Sequence, residues 1–278
     1  MGRAHVKSTL IGILLATILA VVVLAAPLRT PVPATVFLED MTWIEVRAAL
    51  DAGKRGVIVP TAGHEQNGPH MVLGKHRYVV EHTSGRIAEE VGTLLVAPTI
   101  TYVPEGDIEP KPSGHMAFPG TISVPPQVFA DILEHAARSL RAHGFTDIFL
   151  VGDSLDNQAV QAEVAARLTR AWQGSGARVH HVGDYYAANG QSDWLASQGE
   201  TAVAIGTHAG IRDTSELLAI RPEGVRLGML DPKWGFNLAP TGNNGDPTRA
   251  TAERGRHLLD LKVQAAVRQI RAALASGS

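Results

Sequence analysis

Gly56-Val57-Ile58-Val59-Pro60 is a short, β-branched and continuously apolar run. That pattern belongs to a strand buried on both faces, because a half-exposed strand alternates apolar with polar. The run leads directly into Gly63-His64-Glu65-Gln66-Asn67-Gly68-Pro69-His70, a polar loop punctuated by glycine. A second run of the same kind, Asp147-Ile148-Phe149-Leu150-Val151, ends in Gly152-Asp153-Ser154-Leu155-Asp156-Asn157. Apolar spacing predicts helices over Trp43–Leu50, behind a candidate cap in Asp40-Met41-Thr42, over Val79–Val91, over Pro126–His143, and after Asn157 through Trp172. Leu94–Pro98 and Arg178–Val182 read as further strands. Strands alternating with helices imply βαβ crossovers and a mostly parallel sheet flanked by helices, an α/β fold. In such sheets ligands bind at the carboxyl ends of strands, where both polar loops lie.

The chain has 278 residues, 45% hydrophobic and 19% charged, enough for one sizeable core, with Val36 to Ser278 as one domain. A net charge of −2 and the lack of a Lys/Arg run argue against nucleic acid as a partner. Without cysteine there is no disulfide, thiolate ligand or thiol nucleophile. Arg3 and Lys7 precede the apolar run Leu10–Ala26, which reads as an export signal. Val23-Leu24-Ala25 and Leu24-Ala25-Ala26 offer small residues for cleavage; the rival is an uncleaved anchor in the inner membrane, since about 17 apolar residues is the shortest span that crosses a bilayer. The expectation is an exported, periplasmic protein. Residues 27–35, proline-rich, read as a linker.

Four stretches offer chemistry. Glu65, Asn67 and His70, with His76 six residues further on, combine carboxylate and imidazole, donors suited to Zn²⁺ or Mn²⁺; the bland alternative is a polar surface loop. Asp153, Ser154 and Asp156 follow the second strand, where carboxylates coordinate a cation or simply cap the next helix. His208, in Thr207-His208-Ala209-Gly210-Ile211-Arg212-Asp213-Thr214-Ser215, is an acid, base, ligand or structural residue. Pro112–Thr121, which holds His115, reads as a gating loop or an ordered connector. Trp172, Trp194 and Trp234 are candidates for an apolar pocket, or else core filler.

Gly152-Asp153-Ser154-Leu155 also spells the tetrapeptide for which one group of serine esterases is named. Those enzymes carry an Asp-x-x-His pair near the domain's end, and no aspartate after Ser154 has histidine at that spacing. A serine hydroxyl without a base is a weak nucleophile, so this reading ranks last.

Taken together, Glu65-Gln66-Asn67-Gly68-Pro69-His70, Phe118-Pro119-Gly120-Thr121-Ile122-Ser123, His208-Ala209-Gly210 with Asp213-Thr214-Ser215, and Gly245-Asp246-Pro247 with Ala250–Gly255 resemble the creatininase, or creatinine amidohydrolase, family, in family order. The resemblance implies a three-layer α/β fold, a homo-oligomer, and two divalent metals that activate water to hydrolyse a C–N bond of a small molecule. It implies Glu65 as a metal ligand and His208 as a proton-handling residue. It also marks departures: Asn67 stands for a histidine ligand, His76 for an aspartate, Ser154 for a histidine and Asp156 for a glutamate. The expectation is a metal-dependent amidohydrolase with Glu65, His76, Asp156 and Asn67 around one or two Zn²⁺ or Mn²⁺ ions. Asp153 or Asp156 would accept the water proton, and His208 would protonate the leaving nitrogen. His115, His70, Asp213 and Ser154 would contact substrate. The alternative from another class is an exported, non-catalytic binding protein on the same fold.

Overall fold

The computed structural model describes residues 34–231 and 241–276. The expected export segment, most of the linker and Trp234 lie outside the described residues.

The two runs that fixed the fold class form its central strands. Strand β1 is Gly56–Thr61, β2 is Leu94–Val96, β3 is Asp147–Gly152 and β4 is Arg178–His181, all parallel in the order β2-β1-β3-β4. Every residue of β1 is buried, as a strand covered on both faces requires. The period-2 alternation of a strand then sorts the apolar side chains onto two layers. Val57, Val59, Ile148 and Leu150 face helices α3 (Pro126–Ala142) and α4 (Leu155–Ala171), meeting Phe129, Leu133, Val164 and Leu168. Ile58, Phe149 and Val151 face the opposite way, toward α2 (Lys75–Val91) and the C-terminal helix α8 (Ala252–Ala275), meeting Val80, Ile87, Val263 and Ile270. The molecule is therefore a three-layer α/β fold with a four-stranded parallel sheet flanked by helices.

Helix α1 (Trp43–Asp51) starts where the candidate cap lies: the Thr42 side chain accepts from Glu45 N, and Glu45 returns a bond to Thr42 N, a capping box. Helix α2 begins at Lys75, one turn before the apolar spacing predicted. That first turn is polar, so periodicity missed it, yet it carries Lys75 and His76, both buried. Trp172 packs in the core beside α4, and the Trp194 ring lies tilted against His257 with centroids 4.2 Å apart; both are structural. The short helices α5 (Gln191–Ser197) and α6 (Ala202–Ile205) lead into α7 (Ile211–Ile220), which packs on α8.

Candidate functional site

Strands β1 and β3 are neighbours in register, with Thr61 opposite Gly152, so their two loops leave the same edge of the sheet side by side. Thr61 Oγ1 accepts from Asn157 Nδ2 at 3.0 Å and Gln161 Nε2 at 2.7 Å, which ties the start of α4 to the end of β1. At Gly63 a Cβ would stand 1.9 Å from Glu105 Oε1, so only glycine lets that carboxyl close over the first loop. A cavity of about 230 Å³ opens above these loops, lined by Glu65, His76, His115, Asp153, Ser154, Asp156, His208, Arg212, Asp213 and neighbours from α2, α7 and α8.

Its floor is a chain of buried charges. His76 Nε2 donates to Glu65 Oε1 and its Nδ1 donates to Asp153 Oδ2, both at 2.9 Å. Asp153 Oδ1 also accepts from Lys262 Nζ at 2.6 Å and from the Tyr185 hydroxyl at 3.1 Å. Lys75 Nζ donates to Asp213 Oδ1 at 2.9 Å. Burial alone would neutralise these groups, but the opposite charges overcome it. Burial and Lys75 pull His76 down, whereas Glu65 and Asp153 outweigh them and raise it. Burial likewise opposes the ionised forms of Glu65 and Asp153, and His76, with Lys262 for Asp153, holds both carboxyls well below the usual range.

Facing the cavity from this floor, Glu65 meets two further imidazoles. His115 Nε2 lies 3.6 Å from Glu65 Oε2, and His208 Nδ1 lies 3.7 Å from Glu65 Oε1. The three donor atoms all lie within 4.8 Å of one another. One glutamate and two histidines are a ligand set for a catalytic divalent ion, whose tetrahedral donors stand ~3.4 Å apart. His208 is prepared for that role. Its Nε2 lies 2.9 Å from the Gln66 carbonyl and 3.2 Å from Gln66 Nε2; in the tautomer protonated at Nε2 the ring donates to that carbonyl and leaves the Nδ1 lone pair toward Glu65. Burial pushes its pKa down to about 4, so the ring is neutral at pH 7. The backbone behind it is fixed by the bridge His208–Asn244 and by Ala209 at φ 52°, whose N–H is held by Asp213 Oδ2 at 2.7 Å. His115 is held differently: the Gln66 amide donates to its Nδ1 at 2.8 Å, an orientation locked because Gln66 Oε1 accepts from Gly68 N at 2.9 Å. Charge, spacing and donor types fit one ion at Glu65 and His208, and His115 joins when Gln66 releases Nδ1 and the ring proton moves there.

This arrangement differs from the expected ligand grouping of Glu65, His76, Asp156 and Asn67. Both ring nitrogens of His76 are spent on carboxylates. Asn67 is fully buried, and its Nδ2 donates to the Glu65 carbonyl. Asp156 stands exposed in the first turn of α4, on the cavity wall and outside the converging donors. Asp153, expected as one of two bases, has both oxygens occupied by donors and is a poor proton acceptor. His70 does not line the cavity: it is fully buried, bonded through Nε2 to Thr214 Oγ1 at 2.8 Å, and burial pushes it down to about 4. Asp213 lines the cavity but serves Lys75 and Ala209 N. The Ser154 hydroxyl donates to Glu105 Oε1 at 3.3 Å. Burial, reinforced by Glu65, pushes the Glu105 carboxyl up to about 11, so it is protonated and no base for Ser154.

The sequence profile described as creatininase, creatinine amidohydrolase, matches residues 39–270. The chain belongs to the creatininase family. It is 25% identical over 255 residues to the creatinine amidohydrolase of Pseudomonas putida, covering 85% of this chain and 96% of that one. It is 27% identical over 223 residues to the mycofactocin precursor peptide peptidase of Mycolicibacterium smegmatis, covering 73% and 79%. Among solved structures, a tryptophan-substituted creatininase mutant superposes with TM-score 0.70 at 24% identity, covering 86% and 98%. A manganese form of creatininase gives 0.69 at the same identity, and at that level the likeness concerns the fold. Against the two metals implied for creatininases, the side chains at two departing positions, His76 and Ser154, are engaged within the protein, whereas Asn67 is bonded through Nδ2 alone and its Oδ1 is a buried acceptor without a partner. Among the described residues the donors converge on one position.

Lys75, Lys262 and Glu105 were not singled out in the sequence, though they set the charge of the site. Lys262 had a signal: it stands three and four residues after Leu259 and Leu258 and next to Val263, on the apolar face of α8. Glu105, in a proline-flanked loop, had none.

Proposed function

We propose that this creatininase-family chain hydrolyses a C–N amide-type bond in a small substrate, using one divalent ion, Zn²⁺ or Mn²⁺, held by Glu65, His115 and His208. The observation that carries this reading is the convergence of an ionised glutamate and two imidazoles on the cavity, with His208 already neutral and oriented. Such an ion, when bound, supplies Lewis acidity that makes water nucleophilic near pH 7. The protein supplies the rest. His76 and Asp153 fix the Glu65 carboxylate, and Gln66 orients both histidines. Asp156, exposed on the cavity wall, is the carboxylate free to accept the water proton and return it to the leaving nitrogen as the C–N bond breaks.

A second reading, a binding protein without catalysis, is favoured by one observation. The Gln66 amide donates to His115 Nδ1, the tautomer opposite to a ligand's. Metal content of chelator-free protein, with a screen of cyclic and linear amides before and after chelation, separates the two. The hydrolase reading expects one ion per chain, chelator-sensitive hydrolysis, and loss of both in Glu65→Gln. Negligible metal with no hydrolysis overturns the hydrolase reading and leaves the binding protein. Export through the N-terminal segment and self-association are proposed with it; N-terminal sequencing of the secreted chain and light scattering test them.

A further inference from the structure

We infer that the cavity selects an anionic small ligand, whose carboxylate is taken by Arg212. The inference rests on the hydrolase reading only in calling that ligand a substrate.

The cations around the cavity divide into two kinds. Lys75 has Asp213 at 2.9 Å; Lys262 has Asp153 at 2.6 Å and Glu216 at 3.2 Å; His76 lies between two carboxylates. Arg212, in the first turn of α7, is different. Its nearest carboxylate oxygen is Asp213 Oδ1, 4.0 Å from Nε, and that aspartate already accepts from Lys75 and from Ala209 N. Among the described residues the guanidinium makes no hydrogen bond, yet its side chain is only 22% exposed. A guanidinium offers five N–H donors in a planar fork matched to a carboxylate. Leaving them unmatched in a largely buried position costs free energy, so the arrangement is complete only with an anionic acceptor.

The cavity's volume of about 230 Å³ lies below the ~300 Å³ at which drug-sized pockets begin. A carboxylate on a small molecule is the ligand that this volume and the open guanidinium fork describe.

The test compares N-acetyl-L-alanine with N-acetyl-L-alaninamide, equal in size and differing in charge, by calorimetric titration of the full chain with and without added Zn²⁺. The carboxylate probe is expected to bind at least tenfold more tightly. Arg212→Met should abolish that preference and Arg212→Lys should keep part of it; circular dichroism checks that each variant folds. Equal affinities, no binding of either probe, or a preference that survives in Arg212→Met would overturn the inference. A preference for the carboxylate without hydrolysis of any amide would leave it standing and refute the hydrolase reading.

Discussion

Lys262 Nζ lies 2.6 Å from Asp153 Oδ1, with both side chains at least 94% shielded, and this pair ties the C-terminal helix to the loop after β3. Asp153 is the hub on which His76, and through it Glu65, depends. Lys262→Met would leave that carboxylate buried with a missing counter-charge. Breaking one side of a buried pair costs about 3–5 kcal/mol, so denaturant unfolding should show a loss in that range. A loss under about 1 kcal/mol would mean that the pair is screened by water.

The carboxyl of Glu105 is buried, and desolvation with the adjacent Glu65 pushes it up to about 11. Its unfolded counterpart ionises near pH 4.5. The native state therefore holds a proton that the unfolded state has released between those two values, and stability falls as pH rises through that window. In Glu105→Gln the amide cannot ionise. The Tm of the metal-free variant should exceed that of the wild type by an amount that grows from pH 5 to pH 9. A constant difference would show that Glu105 is ionised in the fold.

Gln66 sets the tautomer of His115 by donating to Nδ1, whereas a ligand histidine donates from its outer nitrogen to an acceptor. Gln66→Glu places an acceptor there, so His115 would carry its proton on Nδ1 and turn a lone pair toward Glu65. Changes to such supporting groups shift metal affinity by about 10–100-fold. Competition with a chelating dye should show Zn²⁺ held at least tenfold more tightly by the variant. Unchanged or weaker binding would remove His115 from the ligand set.

The sheet was legible because β1 and β3 are continuously apolar, and burial on both faces leaves no other pattern for such a strand. The loops after them were legible for the same reason, since parallel strands bring their carboxyl ends together. Side-chain pairing was not. His76 reads as a ligand in the sequence because nothing local reveals that Asp153, 77 residues on, faces its second nitrogen. Arg212 reads as one charge among several in a polar helix start. Only the packing of α7 against α2 shows that Asp213 beside it is already committed to Lys75.

Ser154 follows Gly152 and Asp153 in a tetrapeptide that suggests a nucleophile, and the site argues otherwise. Its hydroxyl donates to Glu105, a carboxyl kept protonated by burial and by Glu65, and among the described residues no histidine hydrogen-bonds its oxygen. A base must accept the hydroxyl proton as the nucleophile attacks, and a protonated acid cannot. Removing the hydroxyl exchanges one hydrogen bond for a small void, a cost of about 1 kcal/mol. Ser154→Ala should therefore keep amide and ester hydrolysis within about threefold of wild type while lowering Tm slightly, because ~1 kcal/mol in a domain of this size moves Tm by only a few degrees. An ester substrate whose hydrolysis falls by a factor of a thousand in this variant, with metal content unchanged, would restore the serine as the nucleophile.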